Sequence, residues 1–407
     1  MPIRVRTARS VEEYKAALAC ILHYVGQSPD DKMVERWQRV LPFEHMHAAL
    51  DGGAVVGGAG AFPFRMTVPG AGPVESAGVT VVGVLPTHRR QGVLTRMMRA
   101  QLETERERGR PFAVLWASEE PIYGRFGYGM ACVSGEVAIP RADSRFMRPL
   151  SPRGKVRLVP LGDAYELCAP IYRRVARRTP GMVERSRTWW EVRQLRDDPD
   201  QREGWGEKNV AVLEVDGRPA AYAVYRLKPD WEDFQPKGKL AAVDVQAVSL
   251  EATAEIWRFL LDFDWTATVE AECLPPDHPL FQLLAYPRRM RYRMGDGLWL
   301  RPLDVEAMLS ARGYADDGRL TLEVTSDRLF ADNAGVWTIA GDAARRSRRR
   351  PDVRLDVEAL GQVYLNGFSF GSLARAGRVE EAARGGLRRA DSLFATGDPY
   401  PWCPEIF

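Results

Sequence analysis

Cysteine and long apolar runs are both scarce in this sequence of 407 residues. The five cysteines are an odd number, lie far apart and form no Cys-x-x-Cys pair, so neither a disulfide framework nor a zinc site is indicated. No apolar run approaches the roughly 18–20 residues that span a bilayer, and the amino terminus lacks the apolar core of a signal peptide. We therefore expect a reduced, cytoplasmic protein without a metal site, and the sequence leaves export open.

An excess of charge of one sign is also lacking. The chain has 57 Lys and Arg against 54 Asp and Glu, for a net charge of +3. This balance gives no general reason to expect a nucleic-acid or membrane partner. One basic run, Arg345–Arg350, has no interleaved aromatic residues and is predicted to be a solvated loop. At roughly 150 residues per domain, the length suggests two or three domains.

Hydrophobic periodicity near the amino terminus predicts a mixed α/β segment. Helical spacing runs through Val11–Val25, Asp31–Val40 and Gly92–Arg108. Ser76–Val84 and Phe112–Ala117 are continuous apolar runs, which are typical of strands covered on both faces. The order of strand, glycine-bearing loop, helix and strand predicts a βαβ unit.

A second segment repeats the order of helix, hairpin, strand, helix and strand. Asp216-Gly217 is a strong hairpin turn signal, and Leu240–Val248, Ala252–Leu261 and Thr266–Cys273 have the patterns of strand, helix and strand. We predict that this segment is a diverged copy of the first. It has no Arg-x-x-Gly loop before its helix, so we do not expect it to bind the ligand of the first copy.

A third region follows, with a different order of elements. Strands are predicted at Gly318–Val324 and Gly335–Ala340, and helices at Val305–Arg312, Val357–Leu365 and Arg378–Leu387. The predicted domains are residues 1–150, 151–296 and 297–407.

The most informative stretch connects the strand that ends at Val84 to the helix that follows Gly92. Pro86 prevents the strand from continuing, and Arg89 and Arg90 add two fixed cations. A helix amino terminus directs several backbone N–H groups at one spot, and glycine lets a ligand approach the backbone closely. This chemistry suits a pyrophosphate. The stretch has neither the Gly-Lys-Ser/Thr of a P-loop nor the Gly-x-Gly-x-x-Gly of a Rossmann loop.

Two motifs carry a resemblance to a known family. The Val-x-Pro-x-x-Arg-Arg-x-Gly pattern over Val84–Gly92 resembles the motif by which GCN5-related N-acetyltransferases (GNATs) hold acetyl-CoA. The string SEEPIYGRFGYG over Ser118–Gly129 resembles the signature of the enhanced intracellular survival (Eis) family, which are aminoglycoside N-acetyltransferases of actinobacteria. The resemblance covers the whole chain, including its length, its fainter second segment and its aromatic carboxyl terminus.

The resemblance implies an α/β (α+β) architecture of tandem GNAT folds, the second degenerate, followed by a sterol-carrier-protein-like α+β domain. It also implies acetyl-CoA as the co-substrate, a homohexamer and a role in antibiotic resistance. Tyr123 falls where the family has its general acid, and the main-chain carboxylate of Phe407 falls where it has its general base. A phenol, with a reference pKa of about 10, is protonated at neutral pH and can donate. The residues expected at the cofactor are Val82, Gly83, Val84, Arg89, Arg90, Gln91, Gly92, Val93, Leu94, Thr95, Ser118 and Glu119.

The acceptor is predicted to be a small-molecule amine of the aminoglycoside type, which needs an acidic, aromatic-lined pocket. The candidates for that pocket are Trp37, Asp30 and Glu405, with Asp31 and Glu35 beside them. His88 is interpreted as an exposed loop imidazole rather than a base. Two alternatives stay open: a lipid-binding or scaffold protein with a vestigial loop, and an acetyltransferase for protein lysine or metabolite amines.

Overall fold

The computed structural model describes residues 3–148 and 154–407. Its contacts divide the chain into two compact units, which are described separately. The first unit consists of Met1–Cys132, Leu298–Asp398 and Ile406–Phe407, and the second of Val133–Gly297 and Pro399–Glu405. The predicted boundary between residues 150 and 151 lies outside the described residues, and the three domain ranges stay a prediction.

The chain before Val133 contains alternating strands and helices. In order they are β1 (Arg4–Thr7), α1 (Val11–Leu22), α2 (Asp31–Gln38), β2 (Met46–Asp51), β3 (Ala54–Thr67), β4 (Pro73–Val84), α3 (Val93–Glu107), β5 (Phe112–Trp116), α4 (Glu120–Tyr123) and β6 (Gly129–Met130).

The chain from Val133 to Gly297 repeats this alternation. Its elements are β7 (Val133–Pro140), β8 (Lys155–Val159), α5 (Ala164–Ala176), α6 (Arg187–Trp189), β9 (Asn209–Val215), β10 (Arg218–Lys228), β11 (Trp231–Glu232), β12 (Gln235–Pro236), β13 (Gly238–Ala247), α7 (Leu250–Leu261), β14 (Thr266–Leu274), α8 (Leu280–Leu283) and β15 (Arg293–Asp296). A π-helix, Trp190–Gln194, directly follows α6.

The remaining chain forms the third region. Its elements are β16 (Leu298–Pro302), α9 (Val305–Ser310), β17 (Arg319–Val324), β18 (Gly335–Ala340), β19 (Ala343–Arg346), β20 (Val353–Leu355), α10 (Val357–Tyr364), α11 (Phe370–Arg375), β21 (Val379–Glu381) and α12 (Gly386–Phe394).

The main sheet of the first unit has seven strands in the order β1-β2-β3-β4-β5-β16-β6. Successive side chains on β3 point to opposite faces of the sheet. A helix packs on each face, α1 on one and α3 on the other. A Cβ added to Gly58 would overlap the backbone of Ala17 in α1, whereas one added to Gly57 would lie 2.9 Å from the sulfur of Met97 in α3. The small residues of β3 therefore let both helices approach the sheet.

β4 separates from β5 partway along its length. The two strands pair in parallel at Ala77↔Ala113 and Gly78↔Val114, and β4 then continues to Val84, still paired with β3. A β-bulge accompanies the separation, since the β3–β4 register shifts between Gly58 and Gly60 and Val81 has a φ of +48°. The carboxyl end of β4 consequently has one edge turned away from its parallel partner.

The second unit has its own seven-stranded sheet, in the order β15-β7-β14-β13-β10-β9-β8. Alternate residues of β10 enter two different hydrophobic clusters: Ala221, Ala223 and Tyr225 pack in the cluster that contains α7, and Tyr222 and Val224 in the cluster that contains α5. This period of two places one helix on each face of the sheet. β13 and β14 run parallel, as β4 and β5 do.

The third region contributes a five-stranded sheet, β19-β18-β17-β20-β21, to the first unit. Here one sequence prediction is wrong and one helix was missed. Arg378–Leu387 is not a helix, because Gly377 and Gly385 take positive φ angles of 72° and 77° and leave room only for β21 between α11 and α12. Helix α11 was not predicted.

The basic run Arg345–Arg350 is also not wholly a loop. Arg345 and Arg346 belong to β19, which pairs with β18 in a hairpin around Gly341. The guanidinium of Arg346 stacks 4.6 Å from the centroid of the Trp337 ring on β18. The aromatic partner that the run itself lacks is thus supplied by the neighbouring strand.

Candidate active site

The turn after β4 is held in one shape by its own side chains. Gln91 donates an amide N–H to the carbonyl of Thr87 at 3.1 Å, and Arg96 donates to the carbonyl of Gln91 at 2.8 Å. Arg90 and Gly92 both take left-handed backbone angles, with φ of 61° and 76°. Glycine tolerates this conformation at no steric cost, so Gly92 fits its position.

Helix α3 begins immediately after Gly92, which has no side chain that could cap the first turn. The backbone N–H groups of Val93, Leu94 and Thr95 fall within the first turn of a helix, where no carbonyl of the same helix can accept them. The side chains of Arg89 and Arg90 are exposed beside them. Uncapped amides, the positive end of the helix dipole and two guanidiniums fit the diphosphate of a CoA thioester.

The free edge of β4 lies next to this turn. Val82, Gly83 and Val84 are on the part of the strand beyond the β5 pairing, so their backbone groups on that edge suit an amide-bearing chain such as pantetheine. Gly83 also has a packing role, because an added Cβ would lie 2.7 Å from the backbone nitrogen of Ile21 in α1. The hydroxyl of Tyr24 donates to the carbonyl of Val84 at 2.6 Å.

Tyr123 ends the short helix α4, and its side chain is only 6% exposed. Its hydroxyl lies 3.4 Å from the Oγ of Ser118, and its ring packs edge-on against Tyr128 with centroids 6.0 Å apart. Burial raises the pKa of Tyr123, an effect that the hydrogen bond to Ser118 opposes and the nearby carboxylate of Glu119 reinforces. The phenol is therefore protonated throughout the neutral range, as a general acid must be.

The third region packs against the segment that contains Tyr123 and β6. β16 pairs with β5 on one side and β6 on the other. Helix α10 lies against β6 so closely that a Cβ on Gly129 would overlap the carbonyl of Glu358. The Glu358 carboxylate lies 3.6 Å from the position of a Cβ on Gly124, the residue after Tyr123, and is ion-paired with Arg378 at 3.1 Å. The residues that follow Tyr123 thus pack against a helix of the third region.

Phe407, the last residue, packs against the first unit's sheet. Its ring lies 5.0 Å from that of Phe64 and 6.3 Å from that of Phe62, both edge-on. A Cβ on Gly78 would lie 3.3 Å from the Phe407 ring. Gly78 is the residue at which the parallel β4–β5 pairing ends, so the terminal ring lies where β4 separates from β5.

Trp37 extends the same aromatic cluster, since its ring stacks on Phe62 at 5.9 Å. The acidic residues in and before α2 do not belong to this aromatic cluster. Asp30 caps α2 by accepting the N–H of Met33 at 2.6 Å, and Asp31 is ion-paired with Lys15 at 2.7 Å. Asp30 and Glu35 are exposed. Trp37 is therefore the acceptor-site candidate that lies in the Phe407 aromatic cluster.

Glu405 is buried within the second unit, with 2% of its surface exposed. Its carboxylate is ion-paired with Arg185 and accepts hydrogen bonds from Trp189 at 3.1 Å and Gln194 at 2.7 Å. Because these donors already engage both oxygens, the arrangement favours an anchoring role over the acceptor contact that was predicted from sequence.

Sequence reasoning missed the aromatic residues that receive Phe407. Phe62 and Phe64 were visible only as part of an apolar strand, because a contact with the far end of the chain leaves no local pattern. His88 is half-buried rather than freely exposed: its ring lies 2.8 Å from the Thr87 hydroxyl and 3.4 Å from a carboxylate oxygen of Asp51.

Among the described residues, no group of three or more His, Cys, Asp and Glu side chains is arranged to hold a metal ion. Within the same ranges, no helix combines the length and the apolar character needed to cross a membrane.

Comparison with known families assigns each region. Residues 4–131 and residues 181–302 each match a family model described as an acetyltransferase (GNAT) domain, and residues 305–404 match a sterol carrier protein domain. The protein is therefore an N-acetyltransferase with tandem GNAT domains and a sterol-carrier-like domain, which confirms the predicted architecture.

Individual relatives define the family more narrowly. The chain is 39% identical over 92% of its length to a Streptomyces avermitilis protein described as an uncharacterized N-acetyltransferase, of which 92% is covered. It is 35% identical to N-acetyltransferase Eis of Mycobacterium tuberculosis over 89% of this chain and 90% of that one. The crystal structure of Eis1 from Mycobacterium abscessus superposes with a TM-score of 0.86 at 34% identity, covering 99% of this chain and all of that one. The chain belongs to the Eis family of GNAT acetyltransferases, whose superfamily uses acetyl-CoA as co-substrate.

Proposed function

We propose that the protein transfers the acetyl group of acetyl-CoA to amines of aminoglycoside-like polyamines, with Tyr123 as general acid and the Phe407 carboxylate as general base. The observation that carries this proposal is the position of Phe407 over Gly78, where β4 leaves β5. The proposed base is the main-chain carboxylate of this residue. Its ring contacts with Phe62 and Phe64 supply the anchor.

The Phe407 carboxylate and the Tyr123 phenol would divide the proton transfers between them. Acetyl-CoA supplies a thioester carbonyl that amines can attack. The Phe407 carboxylate accepts the proton that the acceptor amine loses, because an ionised carboxylate is an acceptor only. The Tyr123 phenol donates its proton to the departing thiolate. Arg89, Arg90 and the first-turn amides of α3 would hold the diphosphate, and Ser118 would orient the Tyr123 hydroxyl.

The acceptor class follows from the surroundings of Phe407. Phe62 and Phe64 are buried, whereas Trp37, which stacks on Phe62, is half-buried, and a cationic amine gains about 0.5–2 kcal/mol over an aromatic face such as this one. Asp30 is exposed at the start of α2 and would add a negative charge for a polyamine. Homohexameric assembly and a role in antibiotic resistance stay predictions from the family resemblance, and a cytoplasmic location stays a prediction from the sequence.

A thiol-release assay tests the acceptor directly. Initial rates would be measured with acetyl-CoA and a panel of aminoglycosides, linear polyamines, lysine peptides and small metabolite amines. We expect the highest kcat/KM for aminoglycosides, because several ammonium groups can meet Trp37 and Asp30 together. A kcat/KM that is higher for lysine peptides or monoamines would contradict the proposed acceptor and retain the acetyltransferase.

Deleting Phe407 tests the base. Removal of one residue moves the carboxylate by about 3–4 Å, which is beyond hydrogen-bond reach. We expect kcat to fall about 10²-fold or more, while the Kd for acetyl-CoA stays within about twofold because the α3 turn is intact. A chain with an amidated carboxyl terminus, made by ligation, keeps the ring and removes only the charge. Full activity of either variant would refute the proposed base.

A further inference from the structure

The residues that follow Tyr123 form a turn that is tied to its ring. The N–H of Gly127 donates to the carbonyl of Gly124 at 2.9 Å, and the N–H of Tyr128 donates to the carbonyl of Tyr123 at 3.3 Å. With Gly127 in the left-handed region at a φ of 81°, these two bonds form a Schellman motif, which commonly ends a helix. The motif is often accompanied by a side-chain contact at the positions that Tyr123 and Tyr128 occupy, and here their rings pack edge-on. The turn therefore links the backbone at Gly127 to the ring of Tyr123.

The side chain of Arg301, on β16, packs under this turn and is fully buried. A Cβ added to Gly127 would lie 2.9 Å from its Nη1 and 3.0 Å from its Cζ, which is too close for any side chain other than hydrogen. Burial raises the pKa of Tyr128, and the nearby positive charge of Arg301 opposes that rise. The guanidinium thus contacts the glycine of the turn and lies near the phenol that packs on Tyr123.

Asp327 holds the guanidinium in this place. The Nη2 of Arg301 donates to both carboxylate oxygens, at 2.6 and 2.8 Å. The same carboxylate accepts the backbone N–H groups of Leu329 at 2.9 Å and Phe330 at 3.1 Å, and the side-chain amide of Asn333 at 2.9 Å. Hydrogen bonds between charged groups are about twice as strong as neutral ones. Arg301 is therefore firmly held by the third region.

Stability alone does not explain a charge at this position. The Nε and Nη1 of Arg301 have no hydrogen-bond acceptor among residues 3–148 and 154–407. A buried ion pair is often no better for stability than well-packed apolar side chains of similar volume. An apolar side chain on β16 could fill the space, but directed bonds to Asp327 could not hold it. What the ion pair adds is a fixed surface under Gly127.

We propose that Arg301 is a positioning residue for acetyl transfer, because its guanidinium fixes the place of the turn that follows Tyr123. The inference rests on the proposed function, in which Tyr123 is the general acid. A general acid must lie within hydrogen-bond reach of the group that it protonates, and a misplacement of about 1 Å can lower a rate by about 10²-fold. Arg301 acts through Gly127 and Tyr128 rather than on the reacting atoms.

Gly127→Ala tests the contact, because the new methyl group would meet the guanidinium. We expect kcat to fall about 10–10²-fold with the Kd for acetyl-CoA within about twofold. Gly109→Ala is the matched control: Gly109 has a similar φ of 77°, and within the described part of the chain no atom lies within 4 Å of an added Cβ. Both variants strain the backbone and should lower the Tm, but only Gly127→Ala should lower kcat.

Arg301→Lys tests the guanidinium itself. Lysine keeps the positive charge but lacks the planar fork whose Nη1 lies under Gly127, and we expect kcat to fall about tenfold. In the Gly127→Ala background the same change removes the clash, so the double variant should lose less than the product of the two single losses. Arg106→Lys is the control, because Arg106 also pairs with an aspartate, Asp332, and lies over the Phe330 ring at 4.8 Å, as Arg301 does at 5.3 Å. Its kcat should equal that of the parent.

Nitration by tetranitromethane, followed by peptide mass spectrometry, measures the exposure of Tyr123 without catalysis. The residue is 6% exposed, so nitration of the parent should be slow. We expect nitration of Tyr123 to become about tenfold faster in Gly127→Ala and in Arg301→Lys, because the reagent follows the population in which the turn has opened. Gly109→Ala and Arg106→Lys should be nitrated at the parental rate.

The outcomes separate the two proposals. If Gly127→Ala and Arg301→Lys both keep the parental kcat and nitration rate, the positioning role is wrong and the proposed acid is unaffected. If kcat falls without faster nitration of Tyr123, or nitration becomes faster without loss of kcat, the positioning role is again wrong, because the two must change together. If Tyr123→Phe leaves turnover unchanged, the proposed acid fails, and Arg301 then has no role in acetyl transfer even if nitration shows that it holds the turn.

Discussion

The two GNAT domains differ at the turn between their central strand and the helix that follows it. In the first, residues 85–92 connect β4 to α3 and end in the left-handed Gly92. In the second, residues 248–249 alone connect β13 to α7, and the Ser249 hydroxyl accepts the N–H of Ala252 at 3.2 Å. One helix start is open to a ligand, and the other is closed by its own side chain.

The difference shows how a shared fold can gain or lose an anion site with few changes. Both helices follow a strand that runs parallel to its neighbour. A serine at the N-cap satisfies one of the amides that a phosphate would otherwise use, and the short connection leaves no place for a pair of arginines. We infer that the second domain keeps the GNAT fold for structure and the first keeps it for acetyl-CoA.

Among variants that test the contrast between an active first domain and a structural second domain, Tyr123→Phe is expected to have the largest effect on turnover. Turnover should fall about 10²-fold or more because the general acid is lost, with the Kd for acetyl-CoA nearly unchanged. A general acid works below its pKa, and burial raises the pKa of Tyr123, so the alkaline limb of the parental kcat profile should lie above pH 10. Tyr286→Phe, at an exposed tyrosine of the second unit, is the control. Unchanged turnover would remove Tyr123 from the mechanism.

Arg89→Ala combined with Arg90→Ala comes next. Loss of two charged donors should weaken acetyl-CoA by about 10–10²-fold in Kd, measured by calorimetry. The matched control replaces Arg173 and Arg174, an exposed pair on α5 of the second domain, by alanine. If replacing Arg173 and Arg174 changed the Kd and replacing Arg89 and Arg90 did not, the diphosphate site would lie in the second domain, which would contradict the proposal.

Gly92→Ala should have a smaller effect, through the backbone rather than the charge. A φ of 76° costs an alanine about 1–2 kcal/mol, and relief of this strain would move the first-turn amides. We expect a Kd for acetyl-CoA about tenfold higher. Gly92→Asn should lie between the parent and Gly92→Ala, because asparagine tolerates the left-handed region better. Equal affinity in all three proteins would mean that the turn geometry does not matter.

Ser249→Ala should have the smallest effect. Loss of the cap should destabilise the start of α7 by about 1 kcal/mol, which hydrogen exchange of the first-turn amides of that helix would detect. The Kd for acetyl-CoA should be unchanged. Tighter binding of acetyl-CoA by a second site in this variant would show that capping alone had closed the second domain, which would overturn the role given to the missing arginines.

Sequence alone predicted those elements whose signals are local. Apolar runs and helical spacing identified β4, α3, β5 and α7, and the Pro86–Gly92 loop indicated the candidate acetyl-CoA turn, whose role stays a prediction. The family motifs then placed Tyr123 and Phe407, whose roles stay predictions.

Long-range contacts were not predictable in this way. β16 lies between β5 and β6, far from both in sequence, and its five residues carry no signal for that partner. The partners of Glu405 likewise come from a distant segment, namely Arg185, α6 and the π-helix behind it. β21 was missed because the apolar spacing of Arg378–Leu387 is that of a helix, whereas the positive φ angles of Gly377 and Gly385 end helical structure on either side of it. Helix α11 has only six residues, which is too short for a clear periodic signal.

The insertion of β16 between β5 and β6 has a consequence for synthesis on the ribosome. The amino-terminal sheet cannot be completed until Pro302 has been translated, although β5 ends at Trp116. At roughly 5–20 residues per second, the intervening chain takes about 10–40 s to make. During that interval β5 has an unpaired edge of apolar residues, the kind of edge that joins to other chains. Nascent chains arrested before residue 298 should therefore need a chaperone that completed chains do not.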